Sequence, residues 1–421
     1  MRFERMILLV AILLFSADLS YAADITANSC SRADVQDALD AATDGDRVLV
    51  PSGTCTWSAS VSIPDTKGIV LQGAGIGQTT VVDGFTNGSA LWVNVASGNS
   101  VTRVTGFTFN ANGVSKSGTN AEIAITGSGL DRFRIHDNDF RNIRRRGISV
   151  FMNGRELSGL IDNNSLHAPY NSAQAIAVFG CSAQCHTPFS RPLELGSSKF
   201  IFVEDNRFDY PGGPTDGALD AYGGARYVFR HNTVIGTTIG HHGADSGGYR
   251  GVHSFELYNN NFTNNTQNSR AAFFRSGSGV VFNNTWTGNY TNPDVVIYRA
   301  RPQSFAPWGA CDGSSPWDEN SGGSALSCLD QPGRVFTANQ GGSNALEPLY
   351  FWNNNINGTP TTTNVSESSS GAFLREGTEF YSNTPRPSYA SYTYPHPLQA
   401  ASSQGGTLPP PPPPSNLRIV P

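Results

Sequence analysis

One short pattern recurs seven times along this chain and constrains its fold more than any other feature. In each copy an apolar residue is followed three positions later by Asn, and the second position after that Asn is apolar again. The copies are Ile135/Asn138/Phe140, Ile161/Asn164/Leu166, Val203/Asn206/Phe208, Phe229/Asn232/Val234, Leu257/Asn260/Phe262, Val281/Asn284/Trp286 and Phe351/Asn354/Ile356. Successive asparagines lie 26, 42, 26, 28, 24 and 70 residues apart. A repeat of that length indicates a solenoid in which each unit stacks on its neighbour.

The spacing predicts the coils of a parallel β-helix, each with three short strands. Equivalent residues of stacked coils then lie one strand spacing apart, about 4.7–4.9 Å. Asn is favoured where the chain turns, because it tolerates the left-handed backbone conformation and its amide can bond along the stack. An Asn-rich β-sandwich with accidental spacing is the alternative, and seven copies in one frame disfavour it. We therefore predict an all-β solenoid, with insertions near residues 181–200 and 300–345 at the two long steps.

The first residues predict export. Residues 1–22 carry Arg2 and Arg5 before an apolar run and end in small residues, which is typical of a cleaved secretory signal peptide. No later segment is apolar over the length that a bilayer requires. We expect a secreted protein, periplasmic or extracellular, with no membrane span.

Six cysteines agree with an oxidising compartment. Proximity favours three local disulfides, although six cysteines allow fifteen pairings. The favoured pairs are Cys30–Cys55, Cys181–Cys185 and Cys311–Cys328. Residues 181–186 contain one residue too many for a haem attachment site, so we expect neither haem nor nucleotide.

A net charge of −5 with 14% charged residues gives no reason to expect nucleic acid as a partner, and we expect a monomer.

The chain divides into five segments. After the signal peptide, residues 23–60 predict a cap and a first strand, with a helix over residues 31–43 that begins at the N-cap Ser31. Residues 61–358 predict the β-helix. Residues 359–404 predict an extended segment, of which residues 389–397 lie along the solenoid, and residues 405–421 predict a proline-rich tail.

Three stretches carry a family resemblance. The helix with residues 45–53 (Gly-Asp-Arg-Val-Leu-Val-Pro-Ser-Gly), residues 69–75 (Ile-Val-Leu-Gln-Gly-Ala-Gly) and residues 104–109 (Val-Thr-Gly-Phe-Thr-Phe) resemble pectate-lyase-like right-handed parallel β-helix proteins. The resemblance runs from about Ala33 to Ile356. It implies a right-handed solenoid with an N-terminal capping helix, and a substrate face formed by one strand of each coil. The activity stays open, because this superfamily includes lyases, hydrolases, epimerases, esterases and adhesins.

Polar residues interrupt the apolar runs of that face in two neighbouring coils. Strand alternation turns Leu219 and Ala221 inward, and Asp220 and Tyr222 outward. The polar residues of these coils are Asp216, Asp220, Tyr222, His241, His242, Asp245 and Arg250. Arg275, Arg299 and Arg301 follow in later coils, and Arg145 and Arg146 form a basic patch in an earlier one.

These residue types suit the β-elimination of a uronic-acid polysaccharide. His242 is the predicted base, since its ordinary pKa suits proton transfer near neutrality. Arg250 and Arg275 are secondary candidates for the base, and Tyr222 is the predicted acid. The predicted substrate-binding residues are Asp220, His241, Arg145, Arg146, Arg299 and Arg301. Asp216, Asp220 and Asp245 are the oxygen ligands of a possible Ca²⁺ site.

Two alternatives remain at this stage. Residues 215–217 (Thr-Asp-Gly) and 240–243 (Gly-His-His-Gly) resemble elements of polygalacturonase-type inverting hydrolases, although the adjacent Asp-Asp pair and the later Arg-x-Lys of that family are absent. The other alternative is a non-catalytic carbohydrate-binding or adhesive β-helix with a flat polar face, in which each Asp beside a Gly only stabilises a turn. An enzyme would bring Asp220, His242 and Arg275 into one groove.

Overall fold

Each coil of the chain contributes one short strand to each of three sides of a solenoid. The computed structural model describes residues 22–170, 174–182, 185–211, 217–244, 249–297, 329–336, 344–367 and 373–400. Neighbouring strands within each side come from successive coils and are parallel, apart from a short antiparallel pairing of Asn355–Ile356 with Thr359–Pro360. The prediction of an all-β, right-handed parallel β-helix is confirmed.

Sheet A has 12 strands in the described residues. Its strands are Asp24–Thr26, Arg47–Val50, Val70–Gly73, Thr102–Thr105, Phe133–His136, Gly159–Asp162, Ile201–Glu204, Arg226–Arg230, Ser254–Tyr258, Ser278–Phe282, Leu349–Trp352 and Phe380–Tyr381. Sheet B has 11 strands. They are Gly53–Trp57, Thr79–Asp83, Phe107–Asn110, Asp139–Arg141, Ser165–His167, Arg207–Asp209, Thr233–Ile235, Asn261–Arg270, Thr285–Thr291, Asn355–Ile356 and Thr359–Pro360.

The third side is divided into two sheets along the solenoid. Sheet C has the strands Val61–Ile63, Leu91–Val95, Ile123–Gly127, Arg146–Phe151, Gln174–Phe179 and Leu219–Tyr222. Sheet D continues this side with Ile239–His241, Ala272–Phe274, Asp294–Ile297 and Asn364–Glu367. Outside the three sides lie an antiparallel pair, Arg334–Phe336 with Asn344–Leu346, a 3₁₀ helix, Thr187–Ser190, and a short helix, Pro397–Ala400.

The apolar residues of the recurring pattern align from coil to coil inside the solenoid. In sheet A, Ile135 pairs with Ile161, and the equivalent residues of later coils continue this column. In sheet B, Phe140 pairs with Leu166 in the same way. These side chains belong to one continuous core cluster. The pattern therefore gives the correct register for seven coils.

The ladder asparagines are buried and bond to one another. From Asn164 onward, each side-chain oxygen accepts the backbone N–H of the ladder asparagine before it, as in the 2.9 Å bond from Asn232 N to Asn260 Oδ1. Each side-chain NH₂ donates to a carbonyl of the preceding coil, as in the 2.9 Å bond from Asn260 to Phe229. The predicted amide stacking is confirmed. The left-handed conformation belongs instead to the residue before each ladder asparagine, with φ of 57° at Asn259.

A helix covers the first coil. It spans Arg32–Ala41, and the Ser31 side chain accepts the backbone N–H of Asp34 at 3.2 Å. Val35 and Leu39 are fully buried against the start of the solenoid. The Cys30–Cys55 disulfide ties the segment before the helix to the first strand of sheet B.

Each of the two long steps of the ladder corresponds to one coil that carries an insertion between two of its strands. The chain leaves sheet C after Phe179 and enters sheet A at Ile201; the Cys181–Cys185 disulfide closes the start of this insertion. Val281 pairs directly with Phe351, so no further coil lies between Asn284 and Asn354. Two predicted disulfides are thus confirmed, whereas Cys311 and Cys328 lie outside the described residues.

The segment before Ala400 runs along the outer face of sheet A. The guanidinium of the buried Arg230 donates to the carbonyls of Tyr392 and Thr393, each at 2.8 Å. Leu398 joins a second apolar cluster that includes Phe202 and Phe282. No helix among the described ranges is long and apolar enough to cross a membrane.

Candidate active site

Four of the predicted site residues, Asp220, Tyr222, His241 and His242, lie where sheet C ends and sheet D begins. The chain passes from Leu219–Tyr222 in one coil to Ile239–His241 in the next. Backbone bonds join the two coils, from Ala218 N to Thr238 O at 2.9 Å and from His242 N to Ala221 O at 3.0 Å. Because Leu219 and Ala221 point into the core, Asp220 lies on the outer face beside His242.

Asp220 and His242 form a hydrogen-bonded pair. The His242 Nδ1 lies 2.7 Å from Asp220 Oδ1. Since a carboxylate only accepts, this contact places the Nδ1 proton toward Asp220 and leaves Nε2 with its lone pair. The His242 side chain is 20% exposed and that of Asp220 is 3% exposed. The pair therefore presents an imidazole to solvent that is oriented to take up a proton.

Two further donors fix the Asp220 carboxylate. The Gln174 side chain donates to Oδ2 at 2.6 Å, and the backbone N–H of Ala221 donates to Oδ1 at 2.8 Å. Together with His242, three N–H groups point at one carboxylate. This arrangement holds the carboxylate, and hence the imidazole, in a single orientation.

Tyr222 lies against the imidazole. The two rings meet edge to face with centroids 4.8 Å apart, and the phenol oxygen lies 3.5 Å from Arg146 Nη2. Burial raises the pKa of Tyr222 to about 12, the negative charge of Asp220 adds to this, and Arg146 opposes it. The phenol is therefore protonated at neutral pH and can donate a proton.

Arg146 brings a buried positive charge to the same place. It is 5% exposed, donates to the carbonyl of Gly118 at 2.7 Å, and lies 5.6 Å from the centre of the Phe179 ring. Its Nε has no hydrogen-bond partner, and it makes no ion pair with any acidic residue of the described ranges. A buried guanidinium of this kind suits an anionic ligand.

Two predicted site residues point elsewhere. His241 faces the solenoid core, fully buried, with its ring nitrogens 3.0 Å from the Tyr227 hydroxyl and 3.0 Å from the Ser276 carbonyl. Burial lowers the pKa of His241 to about 3. Such a side chain cannot contact substrate, so its assignment to substrate binding was wrong. Alternation explains the error, because one step along a strand reverses the face.

Arg250 was also assigned wrongly as a secondary base. It is fully buried and forms a two-point ion pair with Asp330, at 2.7 Å and 2.6 Å. Its Nη1 lies 2.6 Å from His186, and its guanidinium lies 3.6 Å from the centre of the Phe189 ring. Asp330 and His186 belong to the two insertions. Arg250 therefore joins both insertions to the solenoid and has no access to substrate.

The remaining predicted residues lie beside the site or outside the described residues. Arg275 follows Phe274, which pairs with His241, so it occupies the position next to His242 in the following coil. Arg145 is exposed on the turn before Arg146. Both stay predictions as site residues. Asp216, Asp245, Arg299 and Arg301 lie outside the described residues.

Asp220 does not fit the predicted calcium site. Three N–H groups already point at its oxygens, two at Oδ1 and one at Oδ2, so it could not hold a calcium ion through both oxygens without losing donors. No group of three or more potential ligands occurs among the residues that the structure describes. With Asp216 and Asp245 outside those residues, calcium remains a prediction, and no step of the chemistry below uses it.

Sequence reasoning missed Gln174, Phe179 and Tyr249. Gln174 is the first residue of the sheet C strand that pairs with Leu219–Tyr222. Phe179 pairs with Tyr222 in register, and Tyr249 lies 5.6 Å from Tyr222 between ring centroids. The signal for Gln174 was available, since it is a polar residue at the start of a strand in the coil before Asp220.

Comparisons with known proteins give no family and only distant structural similarities. No protein-family model matches the chain, and no curated protein sequence matches it. Among solved structures it is similar to an alginate lyase from Paenibacillus sp. str. FPU-7, with 15% identity over 64% of this chain and 98% of that chain, at a TM-score of 0.36. It is also similar to the A-module of a mannuronan C-5 epimerase from Azotobacter vinelandii, with 14% identity, coverages of 84% and 96%, and a TM-score of 0.31.

A third similar structure is the catalytic domain of a GH87 α-1,3-glucanase in complex with nigerose, with 13% identity, coverages of 90% and 70%, and a TM-score of 0.30. At these identities the similarity concerns the fold alone. The fold itself follows from the parallel sheets of the chain, which form a parallel β-helix.

Proposed function

We propose that this protein is a secreted polysaccharide lyase that cleaves a uronic-acid-containing glycan by β-elimination at Asp220, His242, Tyr222 and Arg146. The observation that carries the proposal is the 2.7 Å Asp220–His242 pair in contact with a protonated phenol. This arrangement supplies a base and an acid side by side on one face. The two disulfides fit an oxidising compartment, which agrees with the predicted signal peptide.

The elimination assigns one role to each side chain. His242 Nε2 removes the proton on C5, next to the uronate carboxylate. The electron pair forms the C4–C5 double bond as the C4–O bond breaks, and the Tyr222 hydroxyl gives its proton to the leaving oxygen. The Tyr222 phenolate then recovers a proton from His242 through solvent. Asp220 stabilises the imidazolium formed in between.

Arg146 supports an acidic substrate. Removal of the C5 proton places negative charge on the neighbouring carboxylate, and a nearby guanidinium stabilises that charge. Because Arg146 is buried without an acidic partner among the described residues, its charge is available to a ligand. Arg275 is a second candidate for this role from the following coil.

The hydrolase alternative receives less support from the described residues. Inverting hydrolysis needs two carboxyl groups about 6.5–9.5 Å apart, with water between them. Asp220 is the carboxylate that contacts His242, and it is held by three donors rather than facing solvent. The contact between His242 and Tyr222 has a direct use in elimination.

The test is an assay of the pure protein on pectate, alginate and a glycosaminoglycan. Elimination creates a conjugated double bond, so ultraviolet absorbance should rise together with new reducing ends. We expect His242→Ala and Tyr222→Phe to lower kcat roughly 10²–10⁴-fold. His167→Ala is the matched control, since His167 lies in sheet B. Reducing ends without absorbance would indicate a hydrolase, and retention on a glycan column without either product would indicate a binding protein.

A further inference from the structure

Four aromatic side chains form a continuous row on the outer face of sheet C. Ring centroids are 6.0 Å apart between Trp92 and Phe151, 4.9 Å between Phe151 and Phe179, and 4.9 Å between Phe179 and Tyr222. The last three residues are direct register partners in successive strands. We call these four side chains the aromatic row. It leads from the candidate active site toward the N-terminal coils.

The row lies on the outside of the solenoid. Leu91 and Val93, on either side of Trp92, are fully buried in the core, and so are Ile148 and Val150 before Phe151. Trp92, Phe151 and Tyr222 are each partly exposed, while Phe179 is 4% exposed. Since the rings stack along the solenoid, their edges form an apolar strip that solvent reaches.

Polar segments border this strip on both sides. On the side of sheet B, residues 112–120 approach the face, where Gly118 accepts from Arg146 at 2.7 Å and Thr119 accepts from Ser149 at 2.9 Å. On the side of sheet A, the first insertion follows Phe179, and its Arg191 side chain donates to the Gly154 carbonyl at 3.1 Å. The strip is therefore an apolar surface with polar segments on both sides, a combination that is usual in ligand sites.

A stack of aromatic side chains can also serve the sheet alone, because cross-strand aromatic pairs stabilise β-structure. The chain contains such a pair elsewhere: Tyr350 and Tyr381 stack at 5.0 Å on sheet A. The aromatic row differs because it ends at Tyr222, which contacts His242, and because Arg146 lies over Phe179. Its continuity with the candidate active site indicates one ligand for both.

We propose that the aromatic row binds the sugar units of the glycan on one side of the reacting unit, so that the protein acts within long chains. This rests on the proposed function, since it uses His242 as the point of reaction. From Trp92 to Tyr222 the row crosses four strand spacings, roughly 19 Å. The C–H faces of sugar rings pack on the apolar strip, and their hydroxyl groups reach the polar borders. The occupant is an acidic polysaccharide chain several units long.

The test separates binding along the row from chemistry at His242. With the polymer that gives the highest activity, we expect Trp92→Ala and Phe151→Leu to raise KM roughly tenfold with kcat unchanged, because they remove contacts that are equal in ground and transition states. With the shortest oligosaccharide still cleaved, the same variants should match the wild type. Tyr381→Ala is the matched aromatic control on sheet A and should change neither constant.

Binding without turnover provides the second measurement. In a His242→Ala background, affinity electrophoresis in polymer gels should show weaker retention when Trp92→Ala or Phe151→Leu is added. Circular dichroism and urea unfolding check that each variant is folded, and Phe151→Leu keeps most of the apolar volume. Wild-type KM and retention in both variants would overturn the row as a binding site even if His242 proves essential. Weaker retention with full activity of His242→Ala would instead refute His242 as the base and leave the row standing.

Discussion

At the scale of single residues, the contact with Asp220 determines which ring nitrogen of His242 is available to a substrate. Either ring nitrogen of a histidine can carry the proton, and the hydrogen-bond partners select the nitrogen that is free. Here the carboxylate takes the Nδ1 proton, and Gln174 and the Ala221 N–H hold that carboxylate in place. The free Nε2 follows from this arrangement rather than from the histidine alone.

Replacing Asp220 by Asn tests that arrangement. The amide keeps one acceptor but turns an NH₂ group toward one of the three donors, so the imidazole loses its fixed orientation. We expect kcat of Asp220→Asn to fall roughly 10²–10⁴-fold, with a small change in KM, in steady-state assays. Asp209→Asn, on sheet B, is the control and should behave as the wild type. A wild-type kcat in Asp220→Asn would show that the pair plays no part in the reaction.

At the scale of the element, the asparagine ladder joins the coils through buried polar groups. Asn260 accepts from Asn232 N and donates to the carbonyls of Phe229 and Tyr258. A buried group that loses its partner costs about 1–3 kcal/mol. The ladder is therefore sensitive to truncation at each rung.

Asn260→Ala should lower the free energy of unfolding by roughly 3 kcal/mol, because it removes the side-chain hydrogen bonds to three buried backbone groups. Urea unfolding followed by circular dichroism measures this. Asn261→Ala is the matched control, since Asn261 is exposed, and we expect a change within about 0.5 kcal/mol. Equal losses in both variants would contradict the ladder as a stabilising element.

A second element is a buried charge cluster behind the loop that Arg146 contacts. The ammonium of Lys116 lies 2.8 Å from Asp83, and both side chains are almost fully buried. Burial raises the pKa of the neighbouring Glu122 from 4.5 to about 8, and the charge of Asp83 adds to this. Glu122 is therefore protonated at neutral pH in the folded protein.

The raised pKa of Glu122 predicts a pH-dependent stability. Between pH 4.5 and about 8 the unfolded chain has released this proton and the folded chain retains it. Unfolding then releases a proton, so this contribution to stability is present below pH 4.5 and is lost as pH rises through 8. Glu122→Gln should flatten the loss in urea titrations across that range. Exposed Glu376→Gln is the control, and an unchanged slope in Glu122→Gln would contradict the assignment.

At the scale of the whole molecule, the chain returns from its last described coils to cover an earlier part of sheet A. Residues 389–400 place two backbone carbonyls on Arg230, and the N–H of His396 donates to Glu204 at 2.9 Å. Phe202 and Phe282 lie under this segment with Leu398. Without the segment, a fully buried Arg230–Glu204 ion pair and an apolar patch would face water.

Truncation measures this contribution. A chain ending at Ser388 should unfold at lower urea concentration than a chain ending at Ala400 and bind more of an apolar dye, because it exposes the second apolar cluster. Both chains lack residues 401–421, so the difference reports on residues 389–400 alone. Equal urea midpoints would show that the segment rests on the solenoid without stabilising it.

The structure explains which side-chain orientations were predicted correctly. Asp220 and Tyr222 were placed on the outer face by alternation from Leu219, and that register is correct. His241 and Arg250 were assigned to the site without that alternation, in a coil where the side of the solenoid changes from sheet C to sheet D. There the alternation restarts, and Asp330, the residue that buries Arg250, lies 80 positions away in the sequence.

By itself, the sequence determined the solenoid, its register and the two local disulfides. Each of these depends on residues at a fixed short spacing, and seven repeats of an apolar–Asn–apolar pattern leave one frame in which all the apolar residues face inward. Only the tertiary structure decided the partners of individual polar side chains. Gln174 reaches Asp220, Arg146 reaches Tyr222, and Asp330 buries Arg250 across separations of 46, 76 and 80 residues. Such contacts depend on where coils and insertions are brought together, and a periodic pattern carries no information about them.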